Sequence, residues 1–151
     1  TGASLRAAAE MLDNGANIDQ ARINLFETKS RAEILLLGRA LNSMCFSDDG
    51  RAAWMTLTYD ELKQIEALDI NPEGIINYAR SVEGVEIALL FREVEPNMIK
   101  IGFRSKPGID VAELARRFGG GGHKQAAGAR QKGNLSEVMS LVLEAAKDVM
   151  A

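Results

Sequence analysis

Four consecutive glycines, Gly119, Gly120, Gly121 and Gly122, stand between a helical pattern and a run of small residues, and they restrict what the chain can build there. Each glycine carries an entropic cost on folding that a chain would not normally incur four times over without a use for it. The segment before them, from Ile109 to Phe118, reads as a helix. Asp110 and Glu113 make a capping-box pair, and Val111, Leu114, Ala115 and Phe118 fall on one face. Gly119 suits the left-handed residue that ends a helix, and Ala126 to Gln131 follows as a strand. The order is helix, glycine loop, strand. A P-loop or dinucleotide-binding turn runs strand, loop, helix with its own glycine spacing, and neither spacing occurs.

A backbone bared of Cβ atoms can approach a ligand closely. Amides of consecutive glycines can converge on one anion as a concave nest, and His123 and Lys124 directly after can add donors to the same oxygens. That reading makes the loop an oxyanion cradle, most naturally for phosphate. The bland alternative is a tight connection in which the glycines only relieve crowding, for which two would normally suffice.

The preceding strands supply a second cue. Val85 to Glu93 is nearly continuous in apolar and β-branched residues, as expected of a strand buried on both faces, and Met98 to Ser105 returns as its hairpin partner. In the returning strand Ile99, Ile101 and Phe103 point one way and Lys100, Gly102 and Arg104 the other. Gly102 opens space beside Arg104, and glycine inside a strand often marks a close approach by a ligand. Arg104, with Ser105 next to it, would offer a planar fork to a phosphate near the cradle. Lys100 and Lys106 read as plain surface charges.

Upstream, helices are expected from Ser4 to Gly15, from Ile18 to Glu27, and after the Ser30/Glu33 capping box. Asp48-Asp49-Gly50 is a turn, Arg51 to Thr58 a strand, and Thr58 with Glu61 caps a helix reaching Leu68. Asn71-Pro72 opens another, with proline at its first position. Asn134 and Glu137 cap a last helix whose buried side is Leu135, Val138, Leu141, Val142, Ala145 and Val149. The fold class is therefore α/β with mixed (α+β) character: a small mixed sheet flanked by helices and preceded by a helical linker.

Phe118-Gly-Gly-Gly-Gly-His123-x-x-Ala126-Ala127-Gly128, preceded by Phe103-Arg104-Ser105-Lys106, resembles the signature of the DHH-associated domain. That domain is the C-terminal, substrate-binding half of DHH-family phosphoesterases. The likeness is strongest to NrnA-type enzymes of the RecJ-like superfamily, which degrade very short oligoribonucleotides and dephosphorylate 3′-phosphoadenosine 5′-phosphate (pAp). It continues upstream through Glu73 to Arg80 and Glu83 to Glu93. The resemblance implies that residues 1–46 are a helical linker or the end of an N-terminal catalytic domain, and that residues 47–151 are the substrate-binding domain. It further implies that manganese or a similar divalent ion is held by an N-terminal DHH domain not present in this sequence. Phosphate would be held here by Arg104, Ser105, Gly119, Gly120, Gly121, Gly122 and His123, and the chain alone would be inactive. RecJ-type exonucleases, cyclic-dinucleotide phosphodiesterases and the non-catalytic C-terminal module of alanyl-tRNA synthetases are the competing readings.

Composition narrows the choice. At 151 residues with a net charge of −3, the chain lacks the basic stripe that holds long nucleic acid, but a short phosphate ligand is compatible with it. The single histidine and the scattered acids offer no metal-ligand spacing and no catalytic triad, so no catalytic residue and no metal site is expected within the chain. Cys45 stands alone, which points to a reducing cytoplasm and to a small core residue. No apolar run is long enough to cross a bilayer. The expected partners are a short RNA or nucleotide phosphate, the chain's own N-terminal DHH domain, and a possible second copy.

Overall fold

The computed structural model describes residues 1–72 and 74–150. They divide into two compact units, Thr1–Arg31 and Ala32–Ala151. The first holds α1 (Gly2–Asp13) and α2 (Ile18–Arg22), the latter running on into a π-helical turn over Ile23–Glu27. The Thr1 side chain caps α1 by accepting from the Ser4 amide, and Asn17 caps α2 by accepting from Gln20. A Thr or Asn oxygen satisfies an otherwise orphaned helical N–H in this way.

The second unit is built on a six-stranded mixed sheet in the order β1-β2-β3-β4-β6-β5. Its strands are β1 (Cys45–Phe46), β2 (Ala52–Leu57), β3 (Ile87–Glu95), β4 (Met98–Ser105), β5 (Gly121–His123) and β6 (Ala126–Lys132). Among the described residues only β2 and β3 pair in parallel. A parallel pair needs a crossover, and here it is made by α4 (Tyr59–Gln64) and α5 (Ile75–Ser81). The Thr58/Glu61 capping box that starts α4 is present. The helix stops at Gln64 rather than Leu68, because Glu66 turns left-handed at φ 57°. Nor does Pro72 open α5; its N-cap is Gly74 at φ 86°, and Glu73 lies outside the described residues.

Two apolar layers sandwich the sheet. On one face Ile87, Leu89, Phe91, Ile99, Ile101 and Phe103 pack under α6 (Val111–Arg117) and α7 (Leu135–Met150). On the other, α4, α5 and α3 (Arg31–Asn42) cover Ala53, Met55, Leu57, Ala88 and Leu90. Leu36 and Ala40 of α3 are completely buried in that second layer. The compact unit therefore begins at Ala32 and not at residue 47. On α7 the buried residues are Val138, Val142, Ala146 and Met150, whereas Leu141 is exposed: the apolar stripe is rotated slightly from the expected one. Cys45 is exposed on the short edge strand β1 rather than placed in the core. No helix among the described residues is long and apolar enough to cross a membrane.

Candidate functional site

The second layer does not extend over the whole sheet. Beyond β3 the same face of β4 and β6 is left open, and a cleft of roughly 650 Å³ lies there, within the size range of small-ligand sites. Residues paired across neighbouring strands point to the same face, so the register gives its floor. One row runs His123–Ala126–Arg104 across β5, β6 and β4. The next is Gly121–Gly128–Gly102, and the third is Arg130–Lys100–Arg92. A trough bare of side chains thus runs between two rows that carry cations. Ile76, Leu90, Asn71 and Pro72 line its wall, and Gly119 and Gly120 also border it.

Arg104 is half-buried, and one guanidinium N–H donates to the carbonyl of Phe103 at 2.9 Å. Arg92 is only 5% exposed; its Nη1 donates to the Ile70 carbonyl at 3.1 Å while its Nε has no partner. Burial pushes the Arg92 guanidinium below the usual arginine range, although arginine starts so high that the group stays charged. Among the described residues, no carboxylate stands within 4.0 Å of Arg92, Lys100, Arg104 or Arg130. A cleft lined by cations attracts anions.

The glycine run is put together differently from a free loop. Gly119, at φ 66°, donates its N–H to Arg116, and Gly120 donates to Ala115 at 2.9 Å, so these two amides close α6 and are not aimed at a ligand. Gly121 to His123 then forms the edge strand β5 against β6. A Cβ at Gly120 would run into the Gly128 carbonyl and come within 2.7 Å of the Ala129 Cβ. One at Gly122, which has φ 146°, would meet the Ala126 carbonyl at 2.5 Å, whereas around Gly121 there is open space. Alternate glycines therefore permit the close approach of β6, and Gly121 keeps the trough bare.

Arg104, Gly119 and Gly120 are brought together in the cleft. His123 shares the row of Arg104 at the sheet edge but lines a neighbouring hollow with Gly108, Asp110 and Lys124. Gly122 is oriented toward the opposite face. Ser105 is on that face too, 1% exposed, and its hydroxyl donates to the Ile109 carbonyl at 2.8 Å. It ties the end of β4 to the segment before α6 and is not part of the cleft. Sequence reasoning missed Arg92, Gly128 and Arg130, and took Lys100 for a surface charge. The available signal was Arg92 itself, a cation within a strand expected to be buried on both faces. Among the described residues no group of three or more His, Cys, Asp and Glu is placed to hold a metal ion.

Residues 56–151 match the family model of the DHHA1 domain, and the chain belongs to that family. Across 145 residues it is 31% identical to the bifunctional oligoribonuclease and PAP phosphatase NrnA of Thermus thermophilus, covering 95% of this chain and 43% of that protein. The protein of the same name from Bacillus subtilis is 28% identical over 126 residues, covering 83% and 39%. The chain thus spans less than half the length of these relatives. An exopolyphosphatase-related protein from Bacteroides fragilis matches the fold with a TM-score of 0.85 at 28% identity, over 93% of this chain and 42% of that one. The pGpG-specific phosphodiesterase PggH from Vibrio cholerae shares the fold at a TM-score of 0.56 and 16% identity, over 98% and 52%.

Proposed function

We propose that this chain is the substrate-binding part of a metal-dependent phosphoesterase acting on short oligoribonucleotides, on pAp, or on both. The observation that carries the reading is the open cleft in which Arg104 faces a glycine trough, with no carboxylate of the described residues within 4.0 Å of it. The names of the Thermus and Bacillus relatives supply the substrate class. The Arg104 guanidinium presents a planar fork suited to two phosphate oxygens, and His123, in the same row, is a donor at the sheet edge. Gly119 to Gly122 contribute by holding β5 close to β6 and keeping the trough clear, so that a phosphate and its sugar lie against the backbone. Such fixed donors position a substrate and neutralise charge as it develops. The manganese or similar ion is held by another part of the full protein, a DHH domain, which works with this one in the cytoplasm.

An NMR titration of this chain with pAp and with a 5′-phosphorylated dinucleotide, in EDTA, tests the reading. Shifts are expected at Arg104, Gly119, Gly120 and Gly128, weakened at least tenfold in Arg104→Ala, a loss of about 1.4 kcal/mol. His123→Ala is expected to weaken them less. No shifts at millimolar ligand, or shifts confined to the α7 side of the sheet, would overturn it.

A further inference from the structure

We propose that Arg80 of α5 is a second arginine of the phosphate site, closing on the Arg104 row from the helix side. The proposal rests on the reading of that row as a phosphate site, and adds to it a residue that no strand of the sheet supplies. Contacts before, within and after α5 set how the helix runs along β4. Ahead of it, the Ile70 carbonyl accepts from Arg92, which pairs in register with Lys100. In its first turn Ile76 reaches the glycine row, its Cδ1 lying 3.4 Å from where a Cβ on Gly102 would stand. Beyond its last turn the Val82 carbonyl accepts from Lys106 Nζ at 3.4 Å. Helix and strand thus advance together past residues 100, 102 and 106, which brings Arg80 level with Arg104. The rises agree, since Ile76 to Arg80 is roughly 6 Å along a helix and Gly102 to Arg104 roughly 6.6 Å along a strand.

Rotation about the helix points Arg80 the right way. Ile75, Ile76 and Ala79 form the buried side of α5. Arg80 follows Ile76 by four residues, so it shares that stripe but is turned about 40° toward solvent. It is half-buried, whereas Arg116 and Arg117 of α6 are exposed. Long side chains lean toward the N-terminus of their helix, which carries the Arg80 stem back toward Ile76 and the glycine row. In the Arg104 row the neighbour on β3 is Ala88, fully buried, while the neighbour on β6 is the partly open Ala126. The cover of α5 therefore ends over Arg104, with Arg80 at its rim.

Charge supplies the other half of the argument. Among the described residues no carboxylate stands within 4.0 Å of Arg80 or of Arg104. Two guanidinium groups at one level of a half-buried site repel each other until an anion lies between them. Arg104 would approach a phosphate from the floor and Arg80 from the helix, each fork donating to different oxygens of the same group. His123, in the same row on β5, would flank it from the opposite side.

Calorimetry of the chain with 5′-AMP, combined with a ³¹P NMR pH titration of the bound nucleotide, tests this in wild type, Arg80→Met, Arg80→Lys and Arg104→Ala. Arg80→Met keeps the apolar stem and removes the fork, whereas Arg80→Lys keeps the charge alone. Arg80→Met is expected to weaken 5′-AMP roughly fivefold or more, and Arg80→Lys to recover part of that loss. Paired guanidinium groups favour the phosphate dianion, so the second pKa of the bound phosphate, ordinarily about 6, should be lowered in wild type and rise in Arg80→Met. A weakened affinity in Arg80→Met with the bound phosphate pKa unchanged would make Arg80 structural and overturn the proposal. Affinity of Arg80→Met within about twofold of wild type, beside a loss of about tenfold in Arg104→Ala, would overturn it and leave the Arg104 reading standing. Failure of wild type to bind 5′-AMP would overturn both.

Discussion

Strands β4 and β6 have two faces that differ in almost every physical respect. Toward α6 and α7 they present Ile99, Ile101, Phe103, Ala127 and Ala129, all buried. Toward the cleft the intervening residues are Lys100, Gly102, Arg104, Gly128 and Arg130. Period-2 alternation in one pair of strands thus separates a face that stabilises the fold from one whose cations have no carboxylate partner among the described residues. On β2 and β3 the same sheet is covered on both sides, so the asymmetry arises where α5 ends its cover, at Ile76. Stability and ligand recognition should therefore be separable by choosing which face to change.

The largest expected effect is on the covered face. Phe103 is fully buried, and Phe103→Ala should cost about 3–5 kcal/mol in urea unfolding through lost burial and the cavity left behind. A cost similar to that of an exposed substitution would mean that α6 and α7 do not pack as described. Next is Gly120, where a methyl group has no room against Gly128 and Ala129. Gly120→Ala should cost about 1–3 kcal/mol by forcing β5 away from β6. Gly121→Ala, one residue on, should stay within about 0.5 kcal/mol of wild type, because nothing stands near its missing Cβ. If the two glycines respond alike, the run is a uniform flexible loop rather than alternating close-approach and open positions.

The contrast between these faces was partly legible in the sequence. Alternation of Ile99, Ile101 and Phe103 with Lys100, Gly102 and Arg104 assigned β4 its two sides, and the capping signals at Thr58 and Asp110 placed the starts of α4 and α6. Register was not legible. That Gly102 lies beside Gly128, and Arg92 beside Lys100, depends on long-range pairing that no local pattern encodes. The glycine run suggests a nest of amides in the sequence because helix closure and edge-strand pairing, which engage those groups, are tertiary outcomes. Ser105 was misplaced for a simpler reason: it follows Arg104, and adjacent residues on a strand face opposite sides.

Ser105 gives the smallest and sharpest test of that point. Its hydroxyl is buried and donates to the Ile109 carbonyl at 2.8 Å, with the Lys124 carbonyl a longer second acceptor at 3.5 Å, so Ser105→Ala removes this donor and leaves the Ile109 carbonyl unpaired. The expected loss is about 1 kcal/mol in denaturant unfolding. Binding of pAp should remain within twofold of wild type, because the sheet itself separates the hydroxyl from the trough. Arg104→Ala should give the converse, a weakened titration with little change in unfolding midpoint. A tenfold loss of pAp affinity in Ser105→Ala would show that the faces are coupled through β4. The Ile109 segment before α6, which the serine secures, would then be the element that carries the coupling.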